Sequence, residues 1–467
     1  MRILIVFATA FAIFFTGLGK ESAFARRDTP TIIRDAELEA ILRNISVPLF
    51  EAAGLESRSV HTYIVRDDSL NAFVAGGQNV FMNTGLIMEA DNVNQLIGVI
   101  AHETGHISGG HLARFQEGMK GASTTSIISM LLGAAAIASG AGDAGMAILL
   151  GGQEAAQRQA LAYSRTQEAS ADQAAMQILN ETEQSGQGLV DFFERLGDQE
   201  LLYTTNKDPY VRSHPLTRDR INSLIGQVEE SPYTNAPNPE GFDEMFARMK
   251  AKLVGYLRPL HSVLVEYPVS DTSVYGRYAR AYAYHQSRQL DKAIDEIRSL
   301  VRDHPEDPFY WETLGFILFE NGKIAESISP LRKAVELAPR EPLIRQQLAQ
   351  SLIATEDMSV NDEAIAHLEE ANRYDSDNPF AWRQLSTAYH KAGNTGMAHL
   401  AAAEYFALIG RPPEARMQAT MALKNLKKGT PSWLKAQDLM VLTGGPADKD
   451  NKGPPPDEPL EFSPSYR

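Results

Sequence analysis

The chain of 467 residues contains no cysteine. That absence removes disulfide frameworks, thiolate metal sites and a lipid-modified amino-terminal thiol from consideration. Basic residues are in deficit as well: 44 Lys and Arg face 59 Asp and Glu, and the net charge of −15 argues against a nucleic-acid-binding surface. Long apolar runs are also missing. The run from Ile3 to Leu18 falls short of the roughly 20 residues that span a bilayer comfortably, and Gly17, Gly19 and Lys20 end it. Met1-Arg2 precedes it and the small-x-small site Ala23-Phe24-Ala25 follows, so residues 1–25 read as a secretory signal peptide. An uncleaved anchor is the alternative. The expected compartment is the periplasm. A second apolar stretch, Gly118 to Gly152, is interrupted by Gly140-Ala141-Gly142-Asp143, and neither half is long enough to span. It reads as an apolar helical hairpin beside the functional cleft, with membrane-surface or ligand contact as the alternative.

What is present begins with His102-Glu103-Thr104-Gly105-His106. Residues four apart share one face of a helix, so two imidazoles can reach one metal ion. Val93, Leu96, Ile97 and Ile100 supply the apolar stripe that a buried helix needs. Glu103, next to the first histidine, is placed to act as the general base of metal-assisted hydrolysis. An extended motif with a third histidine ligand is nearly complete: Gly109 is in register, but Leu112 stands at the ligand position and His111 is one residue early. His111 is then either a ligand reached by a distorted turn or a surface or supporting histidine. Further along, Glu168 and Asp172 are also four apart in a helix-prone segment. One carboxylate of such a pair can complete a two-histidine, one-carboxylate zinc site while the other orients a ligand imidazole from behind.

Ser231 to Gly241 has the Pro/Asn content of a linker. Beyond it Pro305 and Pro339 stand 34 residues apart, and Pro308, Pro342 and Pro379 each open a similar unit. These units carry Trp311-x-x-Leu314-Gly315, Leu348-Ala349 and Trp382-x-x-Leu385, with small residues at Ala293, Ser327, Ala364 and Ala398 in the second helix. That is the pattern of tetratricopeptide repeats, which stack into a superhelix with a concave protein-binding face. Trp311, Trp382 and Tyr389 fall at packing positions of the unit.

Four blocks in order carry a resemblance: Asn71 to Phe81 with Asn83-Thr84-Gly85-Leu86; the HExxH helix; Ser164-Arg165 through Glu168 to Asp172; and Ser213-His214-Pro215-Leu216 with Arg220. Together they resemble the HtpX-like and CaaX-prenyl-protease family of zinc peptidases, in particular its periplasmic branch. Ala75 and Ser170 depart from the family pattern without touching a proposed ligand. The resemblance implies one zinc ion per chain held by His102, His106 and Glu168, with Glu103 as base and Asp172 behind a ligand. It implies that His214 acts as a latch on the metal and that Arg220 stabilises the oxyanion. A surface role for His214, or a transition-state role, stays open. Between His61 and Met82 the β-prone runs around Gly76-Gly77 suggest a hairpin or edge pair; the family would use such an edge to hold an extended peptide. Implied substrates are misfolded or stalled outer-membrane barrel proteins, with the repeats docking on the barrel-assembly machinery and peripheral membrane contact through residues 118–152.

The expected architecture is mainly α. A zincin-like metallopeptidase domain with a small β-sheet occupies residues 26–230, a linker and connecting helix 231–273, and an α-solenoid of tetratricopeptide repeats 274–443. A disordered tail of 444–467 completes it. The rival reading is a non-proteolytic chaperone or scaffold that keeps zinc for structure.

Overall fold

The computed structural model describes residues 31–111, 129–130, 142–202 and 214–444. The expected signal peptide, residues 118–128 and 131–141 of the apolar segment, Ser213, and the expected tail beyond Gly444 lie outside them. Where the apolar segment is described, from Gly142, it forms the first turns of the 40-residue helix that later carries Glu168.

Four short strands form one sheet in the order β1-β2-β4-β3: β1 Thr31–Ile33, β2 His61–Arg66, β3 Ala72–Ala75 and β4 Asn79–Asn83. Gly76 and Gly77 turn the chain between β3 and β4 with φ of 58° and 94°, a left-handed conformation that favours glycine. The hairpin expected around these glycines therefore joins β3 to β4. β2 pairs with β4 in parallel, His61 opposite Asn79 and Val65 opposite Asn83. Alternation assigns the faces. Ile64, Ala72, Val80 and Met82 are buried in the core, while Tyr63, Phe81 and Phe73 stack along the other face with ring centroids 5.3 and 5.2 Å apart.

Eight helices among the described residues surround the sheet or continue from it: α1 Ala36–Ala52, α2 Thr84–Glu89, α3 Val93–Ser108, α4 Gly142–Glu181, α5 Gln187–Leu202, α6 Arg218–Glu230, α7 Phe242–Leu257 and α8 Leu260–Glu266. α3 starts where the Asn92 side chain accepts a hydrogen bond from the backbone N–H of Gln95 at 3.1 Å. Its predicted stripe, Val93, Leu96, Ile97 and Ile100, is fully buried, and so are His102 and Glu103 on another face. A helix buried all round lies at the centre of its domain. Gly98 makes this possible, because a Cβ there would come within 2.8 Å of the backbone nitrogen of Leu189 on α5.

The Pro/Asn segment after α6 is not a free linker. Ser231 donates to Asn180 at 2.6 Å and Ser185 donates to the carbonyl of Thr234 at 2.6 Å, so the turns are tied to the amino-terminal half. Helix α7 then packs Phe246, Met249, Leu253 and Val254 into the same core as α3, and that core runs on to Ala279 and Ala283. Proline and asparagine specify turns; they do not specify exposure.

Ten helices follow in pairs: α9 Val274–Gln286, α10 Leu290–Asp303, α11 Pro308–Glu320, α12 Ile324–Leu337, α13 Pro342–Ala354, α14 Asn361–Tyr374, α15 Pro379–Lys391, α16 Thr395–Leu408, α17 Pro412–Asn425 and α18 Pro431–Leu442. One contact recurs through them. Trp311 donates to the carbonyl of Pro305, Arg345 to that of Pro339 and Trp382 to that of Ser376, each across six residues at 2.7–2.8 Å. Tyr389 is buried, but Trp311 and Trp382 are only half-buried. The tryptophans pack against the repeat core and close the preceding turn with the indole N–H.

The carboxyl-terminal helices pack against the amino-terminal half. Glu37 on α1 is 1% exposed; it accepts from Arg248 at 2.8 Å, Lys252 at 3.2 Å and the hydroxyl of Tyr278, on the first repeat helix, at 2.5 Å. Burial would raise its pKa, but Lys252 and Arg248 hold it below the ordinary glutamate value.

Candidate metal centre

Helix α3 presents His102 and His106 one turn apart, and α4 presents Glu168 and Asp172 one turn apart. The helices meet at Gly105: a Cβ there would lie 2.7 Å from the carbonyl oxygen of Ala171 and 3.2 Å from the Cβ of Ala174. A glycine inside the motif and an alanine between the two acids are what let the pairs converge. Gly105→Ala is expected to separate the helices by a few tenths of an ångström and weaken zinc retention about fivefold to tenfold, a loss consistent with the sensitivity of metal sites to ligand placement. Competition with a chromogenic chelator checks this; unchanged retention would show that the contact does not set the ligand spacing.

Four side chains, His102, His106, Glu168 and His214, bring one donor atom each to within 4.8 Å of one another. His102 Nε2 lies 3.1 Å from His106 Nε2, 3.4 Å from Glu168 Oε2 and 3.4 Å from His214 Nδ1. Glu168 Oε1 is 3.5 Å from His106 Nε2, and Glu168 Oε2 is 3.2 Å from His214 Nδ1. A tetrahedral zinc with bonds of ~2.0–2.1 Å needs donors spaced ~3.3–3.4 Å apart. The donor set fits that ion. Glu103 is fully buried beside it; both its oxygens lack a hydrogen bond, and Oε1 is 3.5 Å from His214 Nε2.

Behind the donors is a supporting layer. Asp172 Oδ1 is 3.0 Å from His102 Nδ1, the nitrogen turned away from the centre. Arg220 grips Asp172 with Nε at 2.7 Å and Nη2 at 2.8 Å, and its Nη1 reaches the carbonyl of Pro215 at 2.8 Å and Glu168 at 3.1 Å. Thr217 caps α6 by accepting from the backbone N–H of Arg220 at 3.3 Å, so the turn carrying His214 and the helix carrying Arg220 form one unit. Phe193 on α5, which nothing in the sequence singles out, closes the site, edge-on to His102 with centroids 5.8 Å apart and 5.2 Å below the Arg220 guanidinium.

The resemblance implies an oxyanion role for Arg220; its Nε, Nη1 and Nη2 meet Asp172, the Pro215 carbonyl and Glu168, and the residue is 6% exposed. Arg220→Ala, leaving Asp172 without its buried partner, is expected to weaken zinc affinity about tenfold, whereas loss of a purely oxyanion-directed donor would lower turnover with affinity unchanged. Of the readings left open for His111, support fits: it is not among the four clustered donors, and its Nδ1 lies 3.0 Å from His106 Nδ1. When Nε2 of His106 faces a metal, its Nδ1 carries the proton, and His111 accepts it.

The electrostatics match a cation site. Burial would depress His102, yet hydrogen bonds to Asp172 and Glu168 outweigh it and raise the ring to about 9. Burial lowers His106. Against the push of burial, hydrogen bonds from His102, His106 and His214 hold Glu168 far below the usual carboxylate range, and Arg220 and His102 lower Asp172. Negative charge is thus concentrated where an incoming metal ion would displace protons to solvent.

Residues 33–228 match peptidase family M48. The chain is 24% identical over 415 residues to the beta-barrel assembly-enhancing protease of Escherichia coli K12, covering 86% of this chain and 82% of that protein. It is likewise 24% identical over 415 residues to the protein of the same name from Yersinia pestis, covering 86% and 83%. Among solved structures, YrrB, described as a TPR protein with an unusual peptide-binding site, is 19% identical with a TM-score of 0.31, covering 38% of this chain and 91% of that one. No helix among the described residues is long and apolar enough to cross a membrane. The centre formed by His102, His106 and Glu168 lies within the matched residues, so the part of the chain that resembles an M48 peptidase domain is the part that carries the candidate metal site.

Proposed function

We propose that this chain is an exported zinc-dependent endopeptidase that degrades misfolded or stalled outer-membrane proteins during barrel assembly. His102, His106 and Glu168 would hold one zinc ion, which when bound would supply Lewis-acid activation of water and of the scissile carbonyl. Glu103 takes the proton of the attacking water and returns it to the departing amine. Asp172 fixes the tautomer of His102, Arg220 fixes Asp172, and His214 blocks the fourth position at rest. The repeat half docks on the assembly machinery, and the chain works in the periplasm.

The observation that carries the hydrolytic reading is Glu103, a fully buried carboxylate beside the ring of donors, next in sequence to His102 and with Oε1 3.5 Å from His214 Nε2. Such a group costs stability unless chemistry requires it. A scaffold with a structural zinc would have no use for it, and the names of the relatives support a substrate among barrel proteins. The test is cleavage of a urea-unfolded outer-membrane barrel protein by the purified chain, with zinc measured on the same sample. Cleavage that a chelator abolishes and zinc restores is the expected result. One zinc per chain with no cleavage by either the parent or His214→Ala would favour the scaffold.

A further inference from the structure

A cavity of about 330 Å³ lies between the two halves of the chain, away from the metal centre. One wall is β1: Thr31, Ile32 and Ile33 all line the cavity. Among the described residues β1 ends the sheet order and pairs only with β2, so no described strand satisfies the backbone groups on its outer edge. The opposite wall comes from α7 and the repeats, with Tyr256, Tyr282 and Phe316 as an aromatic floor and Glu312 among them.

The charge around Glu312 is unbalanced. Lys252 faces Asp35 at 2.8 Å, Glu37 at 3.2 Å and Glu312 at 4.0 Å, and Arg248 faces Glu37 and Asp307. Four carboxylates thus share two cations. Arg34, also on the wall, is taken up by Glu39 and Asp375, each at 2.6 Å. Glu312 is 7% exposed, and its Oε2 accepts no hydrogen bond. Burial, with Asp35 and Glu37 adding to it against Lys252, pushes this carboxyl up to about 8. Lys252 at 4.0 Å and Thr313 favour the charged form but do not offset the burial.

We propose that this cleft binds an extended polypeptide segment bearing a lysine or arginine, which adds to the free edge of β1 as a fifth strand and inserts its cation against Glu312. Strand addition supplies affinity through the backbone, and the buried acid supplies selectivity for a basic side chain among apolar neighbours on the aromatic floor. An unfolded protein offers such segments and a folded one does not. The site would hold a substrate by a second grip, on the junction of the peptidase and repeat halves, and it does not depend on the assignment of the metal centre.

The test measures binding without cleavage. A fluorescein-labelled heptapeptide, Thr-Val-Thr-Lys-Thr-Val-Thr, is titrated by anisotropy with the full chain carrying Glu103→Gln, beside the same peptide with Gln in place of Lys and one N-methylated at alternate residues. The lysine peptide is expected to bind about tenfold or more tightly than the glutamine peptide, and the N-methylated peptide to bind more weakly than either. Adding Glu312→Gln should bring the lysine peptide to the level of the glutamine peptide and leave the latter unchanged. Equal binding of the lysine and glutamine peptides to the chain with Glu312 intact overturns the proposal whether or not the variant folds. So does insensitivity to N-methylation. Self-association with no peptide bound would assign the β1 edge to a second copy and overturn it as well.

Discussion

Glu103→Gln is expected to retain one zinc per chain and to cleave unfolded substrate at least a hundredfold more slowly than the parent. The three proposed ligands are untouched by the change, and Gln fills the same volume, so neither packing nor the donor spacing of 3.1–3.5 Å gives a reason for metal loss. What disappears is the proton acceptor. Removal of a general base lowers turnover by roughly 10²–10⁴. The amide also relieves a buried carboxylate whose oxygens accept no hydrogen bond, so the variant should unfold at the same temperature as the parent or slightly above it. Zinc by plasma emission, cleavage by loss of the intact substrate band and a thermal melt, all on one preparation, separate the possibilities. Loss of zinc would make Glu103 a ligand or a ligand support; full activity would move the base elsewhere.

How far this site was legible from sequence depends on the distance over which each part is encoded. The paired histidines and paired acids repeat at one helical turn, and the stripe from Val93 to Ile100 assigns the buried face of α3; such features are local and need no partner to be seen. The repeats are legible for the same reason, since a unit of 34 residues recurs in register. Gly105 is visible in the motif, but its purpose is not, because the atom it makes room for is the carbonyl of Ala171 on another helix. The sheet shows the same limit. β2 and β4 have the composition of strands, yet their parallel pairing across β3 depends on a connection that composition does not specify.

The junction of the two halves was illegible. Glu37 reads in sequence as an acid in the first turn of an amphipathic helix, a common surface residue favoured there by the helix dipole. Its partners Arg248, Lys252 and Tyr278 stand more than 200 positions later, and no periodicity links them. The partners of Arg220 were illegible for a related reason: the resemblance implies proximity to the centre, but the contacts of the guanidinium with Asp172 and the Pro215 carbonyl come from separate segments. Long-range ion pairs of this kind are recognised in coordinates by distance and burial together.

His214→Ala is expected to raise cleavage of an unfolded protein while keeping zinc, the opposite sign to Glu103→Gln. His214 Nδ1 stands 3.4 Å from His102 Nε2 and 3.2 Å from Glu168 Oε2, which places it at the remaining corner of the donor set, and its Nε2 faces Glu103 at 3.5 Å. A hydrolytic zinc site with three protein ligands reserves that corner for water. An imidazole there silences the centre and covers the base at once. The residue can act as a unit with its turn, because Pro215 restricts the backbone and offers its carbonyl to Arg220 at 2.8 Å. If the closed arrangement outweighs the open one by ~2.8 kcal/mol, about 1% of molecules are competent, and removing the imidazole raises the rate by up to roughly a hundredfold at ~1.4 kcal/mol per tenfold. The gain should appear in turnover at saturating substrate as well as at low substrate, since the latch withdraws enzyme from the active pool. A variant as inactive as Glu103→Gln would instead assign His214 to the transition state, and unchanged turnover would leave it a packing residue. The side of the parent rate on which His214→Ala falls therefore decides among latch, catalyst and structure.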